Sequence, residues 1–392
     1  MGKGGREREL MTTTALKVET VFADAFRELL ARESDPTLKI ARERAFDAFV
    51  DLGFPHPKLE DWKYTDVRPI SSREWRVESG ERDTVDAHLL NQFNVERNGF
   101  TALNQAFGEY HVVRIPKDTS LAEPIRIGFG GQDGVAIFPH VIVVAEAGSK
   151  ATIVETYVSQ AAGFTNAAVQ VFVEDNANVT HYRVQKDAAE HFNYGVTEVS
   201  LGRGSRYDAT SINIGAGLSR HDIELKFTAE GGEALVDGLY MLNGSQHHDT
   251  HSIIDHTVPN CTSHQSYKGV LNDKSRGVFN GKVFVRENAH GTDAQQSNKN
   301  LLLSNDARVD TKPQLEIFND DVKCAHGATV GQLEEEELFY LLTRGLPENL
   351  ARNLLTYGFA EEIINKIVIE EIKAELDSAV LNRLEFEMEE SR

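Results

Sequence analysis

The sequence predicts a mainly β protein, a β-solenoid or β-helix with helical regions at both ends. Three observations support this fold class. Short β-branched runs fill the middle of the chain, a turn residue recurs among them at a fixed spacing, and helical periodicity is confined to the two ends. The 392 residues are 40% hydrophobic, which is enough for a substantial core and for two or three structural units.

The repeat lies within residues 111–330, the predicted β-helix core. Gly148, Asn176, Gly204 and Gly232 are each 28 residues apart, and each follows one strand-like run and precedes another. A constant period marked by a turn residue is typical of stacked coils, because a single coil buries its apolar face only against a neighbour. An ordinary sandwich with evenly spaced hairpins is the alternative that this periodicity leaves open.

Residues 17–110 are predicted to form a helical and mixed N-terminal region. Residues 21–32 and 37–52 carry apolar side chains at three- and four-residue steps, and Gly53 and the prolines after it end the second helix. The stripe of that helix consists of Leu38, Ala41, Ala45, Phe46, Phe49 and Leu52. The segment LEDWKYTDV, residues 59–67, has no clear period, so we expect a loop that packs on the body.

The first 16 residues contain basic residues without an apolar segment after them, so they do not predict a secretory signal peptide. We expect residues 1–16 to be a disordered extension, with Met11 as the true start of the protein.

Residues 331–392 are predicted to be a C-terminal helical region. One helix begins with the acidic run 334–337, which suits a first turn, and ends at Gly345. A second helix ends at Gly358, and a third runs from Ala360 to about Glu387. The last segment carries an apolar stripe for which core packing is favoured over a partner: Ile363, Ile364, Ile367, Val368, Ile372, Leu376, Val380 and Leu384.

Charge and cysteine content limit the classes of function. A formal net charge of -20 argues against nucleic acid or an anionic membrane as a partner, because both select clustered Lys and Arg. No apolar run reaches the length of a membrane span. The only two cysteines, Cys261 and Cys324, together with the lack of a signal peptide, predict free thiols in a reducing cytoplasm.

The densest ionisable group lies in the sequence QHHDTHSIIDHTVPNCTSH. Its members are His247, His248, Asp249, His251, Asp255, His256, Cys261 and His264. Imidazole and thiolate suit zinc or iron, but alternate residues of a strand point to opposite faces, so His247, Asp249 and His251 share a face that His248 does not. No HExxH, CxxC or facial-triad spacing occurs. Hydrogen-bonded ladder histidines are therefore favoured, with a metal site as the alternative.

A second candidate site is Cys324 with His326, in the segment DDVKCAHGATVG. Because one residue separates them, the two side chains face the same way in an extended strand and could meet one ligand. Two donors do not complete a tetrahedral site, so a metal here needs further ligands from another coil or another chain. Local chemistry alone favours a buried thiol with a polar neighbour.

Several enzyme signatures are absent from the sequence. It contains no GxxxxGK[ST] loop, and no GxSxG or GxGxxG between a strand and a helix, so ATP hydrolysis, serine hydrolysis and dinucleotide binding are not expected. Asp320 and Asp321 could act as acid and base in a β-helix carbohydrate lyase, but adjacent strand residues point to opposite faces. The enzyme alternatives are that lyase and a stand-alone metal-dependent catalyst built on the histidine-rich group.

The segment from Asn260 to Gly345 resembles the hallmark segment of the SufB/SufD family of iron–sulfur cluster assembly proteins. The match is a continuous run of polar and glycine positions, such as NCTSHQSYKG and KCAHGATVGQL, that no generic fold requires. KCAHGATVGQL is closer to the SufD branch, which LEDWKYT and the HHDTH stretch also resemble. The resemblance covers nearly the whole chain and is strongest from about Leu242 to Gly358.

This resemblance implies a right-handed parallel β-helix with helical flanks, in agreement with the repeat. It implies a heterodimer with a SufB-like subunit, and a SufC-like ATPase bound by the C-terminal helices, residues 333–357. It further implies a transient iron–sulfur cluster shared with the SufB-like partner, with His326 as the contributing histidine and Cys324 as the neighbouring thiol. No role for Cys261 or the histidine-rich group follows, and no stable cofactor is expected.

The chain is accordingly expected to be a non-catalytic scaffold subunit. ATP-driven closure of two SufC-like subunits would pull on the helices and expose buried thiol and imidazole donors at the β-helix interface. A purely structural adaptor, in which the partner holds every ligand, is a third class. The isolated chain could also pair with itself.

Overall fold

The middle of the chain winds as a parallel β-helix in the computed structural model, which describes residues 22–78 and 83–390. The strands, in chain order, are β1 (Arg76–Val77), β2 (Glu109–Ile115), β3 (Ile125–Phe129), β4 (Val135–Ile137), β5 (Pro139–Ala145), β6 (Lys150–Tyr157), β7 (Phe164–Val173), β8 (Asn178–Gln185), β9 (Phe192–Leu201), β10 (Arg206–Asn213), β11 (Leu218–Phe227), β12 (Glu233–Leu242), β13 (His247–His256), β14 (Thr262–Leu271), β15 (Arg276–Val285), β16 (Thr292–Leu302), β17 (Arg308–Ile317) and β18 (Val322–Gly331).

Two parallel sheets face each other. Sheet A has the order β1-β4-β7-β9-β11-β13-β15-β17, with β5 beside β7 and β2 beside β5. Sheet B has the order β18-β16-β14-β12-β10-β8-β6-β3. From β5 onwards successive strands alternate between the sheets, so each coil adds one strand to each. The predicted mainly β fold, a β-solenoid with helical flanks, is confirmed, and the sandwich alternative is excluded.

Residues in the left-handed backbone region form the corners between coils. Gly148, Asn176 and Gly204 have φ angles of 72°, 58° and 61°, which reproduces the predicted spacing. The fourth corner differs from the prediction, because Gly231, with φ of 78°, takes this role instead of Gly232. Gly232 is required for space instead, since a Cβ there would lie 2.8 Å from Cδ1 of Phe227.

The space between the sheets is filled mainly by stacked apolar side chains, such as Val143, Val171 and Val199. Some polar side chains enter it in hydrogen-bonded groups: His181 lies 2.7 Å from the Tyr207 hydroxyl through Nδ1 and 2.8 Å from Glu155 Oε2 through Nε2. Since a one-residue slip would turn these groups away from their partners, they help to specify the register.

The N-terminal region covers the outer face of sheet A. Its helices are α1 (residues 22–32), α2 (Pro36–Leu52), the 3-10 turn η1 (Glu60–Trp62), α3 (Arg68–Ser71), α4 (Ala87–Leu90) and α5 (Gly99–Phe107). Helix α2 begins after Asp35, whose carboxylate accepts a hydrogen bond from the Thr37 amide at 2.8 Å, and ends at Gly53. Both predicted helices are therefore confirmed, and an aromatic cluster that includes Phe22, Phe49 and Phe138 fixes them to the sheet.

The buried stripe of α2 contains one residue that the pattern did not predict. Arg42 is 1% exposed, and its Nη1 and Nη2 donate to the carbonyls of Ala106 and Gly108 at 2.8 and 2.9 Å. These carbonyls lie at the C-terminal end of α5, where a helix leaves acceptors unpaired. Leu52, assigned to the stripe from the sequence, is instead 46% exposed.

The C-terminal helices are α6 (Glu335–Thr343), α7 (Glu348–Ile364) and α8 (Glu370–Glu390). The predicted end at Gly358 is wrong, because α7 continues through it to Ile364. Ala360, Ile363 and Ile364 are buried against apolar residues of sheet B, and this packing outweighs the low helix propensity of one glycine, about 1 kcal/mol.

Most of the predicted apolar stripe packs on sheet B, as expected. Ile363, Ile364, Ile367, Ile372, Leu376 and Val380 are buried. Val368 is an exception at 75% exposure, because it lies in the turn between α7 and α8, and the Leu384 side chain lies outside the described part of the structure.

Residues 1–16 and Met11, for which a disordered extension and an internal start are predicted, lie outside the described residues. Across 22–78 and 83–390, none of the helices has both the length and the apolar character needed to cross a membrane.

Candidate functional site

The histidine-rich strand β13 lies between β11 and β15 in sheet A, and its two faces have different roles. His248 points into the β-helix, where its Nδ1 lies 2.7 Å from Ser219 Oγ and its Nε2 lies 3.0 Å from Thr250 Oγ1. His247, Asp249 and His251 lie on the outer face. The predicted separation of His248 from the other three is confirmed.

The outer face of β13 anchors the segment LEDWKYT. Thr65 donates from Oγ1 to Asp249 Oδ2 at 2.5 Å, and its Oγ1 lies 2.9 Å from His247 Nε2. Arg220 forms an ion pair with Asp249 at 3.0 Å and stacks 3.7 Å above the ring centre of Trp62. The predicted packing of this loop on the body is confirmed, and the histidine-rich strand is its docking surface.

Asp249 is the charged centre of this docking surface and is only 1% exposed. Burial by itself raises the pKa of a carboxyl group, but the charges of His251 and Arg220 outweigh that effect and hold the pKa of Asp249 below its usual range. Within the described ranges, no group of three or more His, Cys, Asp or Glu side chains is placed to hold a metal ion. The hydrogen bonds of His247 and His248 agree with the hydrogen-bonded ladder favoured from the sequence.

Cys324 and His326 lie on the last strand of sheet B. Strands β17 and β18 are the terminal strands of the two sheets, and we call this last coil the open end. Residues in register on successive strands form rows across sheet B. One row consists of Ser263 on β14, Ala294 on β16 and Cys324 on β18. A second row consists of Gln265 on β14, Gln296 on β16 and His326 on β18.

Both rows are buried in the preceding coils and become accessible only at the open end. Gln265 and Gln296 are each 3% exposed, whereas His326 is exposed and has no hydrogen-bond partner within the described part of the chain. Cys324 packs partly against the core, and burial raises the pKa of its thiol. The two side chains share the inward face of β18, in agreement with the alternation expected of a strand.

The remaining sequence candidates do not join this site. Asp320 and Asp321 lie exposed in the turn before β18, where the Asp321 carbonyl accepts a hydrogen bond from the Gly291 amide at 2.7 Å. Cys261 is buried in the core beneath the corner after β13. Gln265 and Gln296 were not predicted as part of this site, because only the strand register connects them with His326.

Family comparison agrees with this architecture along the chain. A model described as the SufBD core domain of SUF system FeS cluster assembly matches residues 129–359, which span most of the β-helix together with α6 and the first part of α7. A second model, the SufBD protein N-terminal region, matches residues 17–84. The chain belongs to the SufBD family. The family resemblance seen in the sequence is thereby confirmed, and membership connects the chain with the SUF system of iron–sulfur cluster assembly.

Three relatives illustrate the similarity. An iron–sulfur cluster assembly SufBD family protein of Synechocystis is 35% identical over 344 residues, covering 84% of this chain and 75% of the relative. The iron–sulfur cluster assembly protein SufD of Escherichia coli is 29% identical over 380 residues, covering 85% and 90%. SufD of Bacillus subtilis is 26% identical over 440 residues, covering 94% and 98%. These matches support the predicted similarity to the SufD branch of the SufBD family.

Proposed function

We propose that the chain is a non-catalytic scaffold subunit that assembles iron–sulfur clusters with a SufB-like subunit and a SufC-like ATPase. The observation that carries this proposal is the open end. The inward-facing rows of sheet B are buried in the earlier coils, but no further strand of the described chain covers their last members on β18. Two of these rows end in Cys324 and His326, whose residue types bind metals. A partner that covers this end would enclose Cys324 and His326 at the interface.

The open end has the properties of a protein interface. As terminal strands, β17 and β18 each present an edge to which another chain can add a strand. Ile317, Phe318 and Val330 lie there at 41%, 55% and 49% exposure, so a partner would also remove apolar surface from water. We assign this surface to a SufB-like subunit, with a second copy of this chain as the occupant to be tested when the chain is isolated.

Helix α6 and the start of α7 carry a second unoccupied surface. Helix α6 buries none of its residues, and Phe339 and Tyr340 are 68% and 56% exposed. Leu350 and Leu354 on α7 are 47% and 50% exposed. We assign this surface to the SufC-like ATPase, which would supply the nucleotide chemistry for which this sequence has no GxxxxGK[ST] loop.

The two proposed interfaces are mechanically connected through sheet B. Lys268 on β14 is 3% exposed, donates to the Phe359 carbonyl at 3.0 Å and pairs with Glu362, both on α7. Lys366, just after α7, pairs with Asp237 on β12 at 2.8 Å. Since β14 pairs with β16 and β16 with β18, a displacement of α7 by the ATPase would be passed to the strand that carries His326.

The chemistry at the open end is the binding of iron as a substrate of assembly. His326 offers an imidazole nitrogen, and Cys324 offers a soft sulfur donor that loses its proton when a metal binds. Burial raises the pKa of the Cys324 thiol, which disfavours the thiolate in the resting chain. Two donors leave a cluster incomplete, so the SufB-like subunit provides the remaining ligands and the sulfide.

Replacement of His326 tests the proposed role most directly. In the complex reconstituted with SufB-like and SufC-like subunits, His326→Ala should leave co-purification intact and abolish the absorbance of newly assembled clusters. His264→Ala is the matched control. His264 lies on β14, two coils before β18, on the outer face of sheet B, and 45% of its side chain is exposed. Normal assembly by the His326→Ala and Cys324→Ala complexes would favour the adaptor class, in which the partner holds every ligand.

The surface assigned to the ATPase has its own test. Phe339→Glu should prevent co-purification with the SufC-like subunit, because a charge would be forced into an apolar contact. Ile40→Glu on α2 is the control, since Ile40 is 67% exposed and Phe339 is 68% exposed. Equal retention of the ATPase by both variants would contradict the assignment of this surface.

A further inference from the structure

The inner row that ends at His326 contains two buried glutamines. Gln265 on β14 and Gln296 on β16 are in register with each other and, through Gln296, with His326 on β18. Ser252 donates from Oγ to Gln265 Oε1 at 3.1 Å, and Gln296 donates from Nε2 to the same oxygen at 2.7 Å. The row is therefore a ladder of amide groups that leads from the interior of the β-helix to the open end.

The local structure fixes Gln296 in this ladder. Gly281 lies across the β-helix from it, and a Cβ at Gly281 would come within 2.3 Å of Gln296 Nε2. The glycine thus leaves the space that the amide occupies. With Nε2 committed to Gln265, the amide group of Gln296 has one remaining acceptor, Oε1.

That acceptor is buried without a partner in the described part of the chain. Gln296 is 3% exposed, and a buried amide oxygen that accepts no hydrogen bond is unusual in a native structure. Its in-register neighbour at the open end is His326, whose ring also has no partner among the described residues. In a parallel ladder such neighbours are one strand spacing apart, about 4.8 Å, so a rotation of the exposed His326 side chain brings a ring N–H to the oxygen.

We propose that Gln296 is a positioning residue for His326, an inference that rests on the proposed function of the open end. Its Oε1 accepts the N–H of the His326 ring and so selects one tautomer and one ring orientation. The other ring nitrogen is left without a proton and directed out of the open end, where it can bind iron. Metal-binding histidines use this arrangement, in which a hydrogen bond at one nitrogen fixes the other as the ligand.

The tautomer of His326 is measurable in the full chain without any partner. In protein labelled with 15N-histidine, the His326 signals are assigned by their loss in His326→Ala. We expect wild-type His326 to show one protonated and one unprotonated nitrogen, and Gln296→Met to shift both signals toward the averaged values of a freely exchanging imidazole. Averaged signals in the wild type would overturn the proposal without reference to any variant.

Gln295→Met is the matched control, because it makes the same change at the neighbouring position of β16, where Gln295 is exposed and its Nε2 donates to Asp293 and not to the ladder. It should leave the His326 signals as in the wild type. Equal changes in Gln295→Met and Gln296→Met would overturn the proposal, since a general effect of substitution on β16 would then explain both.

Cluster assembly gives the functional readout. In the reconstituted complex, Gln296→Met should reduce the yield of assembled clusters about tenfold, the usual effect of removing the hydrogen-bond partner of a metal-binding histidine. Gln295→Met should remain close to the wild type. Wild-type yield in Gln296→Met, with His326→Ala inactive, would overturn the positioning role alone. Wild-type yield in His326→Ala would instead overturn the proposed function, while the tautomer measurement would stand by itself.

Discussion

Strands β13 and β18 both carry histidines on the inner face of the β-helix, but their surroundings differ. His248 on β13 is completely buried, and both of its ring nitrogens have hydroxyl partners. His326 on β18 is exposed and has no partner within the described residues. The difference is the coil that follows: β15 covers β13 in its sheet, whereas β18 is the last strand of its sheet.

Whether a following coil covers the histidine separates structural from functional histidines in this protein. A buried imidazole whose nitrogens are both occupied has no lone pair to offer a metal and contributes to stability. An inward-facing imidazole on an uncovered coil costs little stability and keeps a ring nitrogen available for a metal. We therefore expect substitutions around β13 to change folding and substitutions at the open end to change assembly.

The largest effect on stability is expected from Arg220→Ala. This substitution leaves the buried carboxylates of Asp222 and Asp249 without their counter-charge and removes the cation above Trp62, at a cost of about 3–5 kcal/mol. Chemical denaturation measures the loss. Arg286→Ala is the control, because Arg286, just after β15, also pairs with a carboxylate of β13, but its ion pair with Asp255 lies at the surface and is worth about 1 kcal/mol or less. Similar losses in both variants would contradict a special role for the docking surface of β13.

The next largest effect is expected from acidification, which should destabilise the folded protein through its buried histidines. Burial lowers the pKa of His248 to about 3 and that of His256 to about 4, from an ordinary value of 6.5. Below pH 6.5 the unfolded chain binds protons that the folded chain does not, so stability is complete above pH 6.5 and falls as the pH drops toward 4. Each histidine contributes a slope of up to about 1.4 kcal/mol per pH unit in the free energy of unfolding.

Thermal unfolding midpoints measured between pH 7.5 and 4.5 would test this dependence. His256→Gln retains a polar partner for Ser263, which lies 2.8 Å from His256 Nε2, but cannot titrate. Its midpoint should fall less steeply with acid than that of the wild type, while exposed His264→Gln should follow the wild type. A His256→Gln profile parallel to the wild type would show that this imidazole is not the group responsible.

The smallest effect on stability is expected at the open end. His326→Ala removes an exposed side chain and, with it, the hydrogen bond proposed to Gln296, so the free energy of unfolding should change by about 1 kcal/mol or less. The same denaturation experiment used for Arg220→Ala measures it. A loss of several kcal/mol would remove the distinction between covered and uncovered coils, and any assembly defect of this variant would then reflect misfolding.

Sequence patterns within single segments predicted much of the fold. They also predicted Cys324 and His326 of the candidate site, but not Gln296. The corner spacing from Gly148 to Gly204, the ends of α2 and the shared face of Cys324 and His326 follow from periodicities within one segment. The end predicted at Gly358 failed because packing of α7 on sheet B, a long-range effect, outweighs local propensity. Gln296 was missed because the register that brings it next to His326 joins residues thirty positions apart.

By itself the sequence predicted a β-helix with helical ends, because a period repeated along the chain is a local property that each coil shows independently. The sandwich that this period left open was excluded only by the pairing of distant strands. The sequence also determined the family, since the run around Cys324 and His326 is specific. Only the tertiary structure decided that His248 is covered and His326 is not. Burial depends on which coils stack on a residue, and stacking is decided by contacts between segments far apart in the chain.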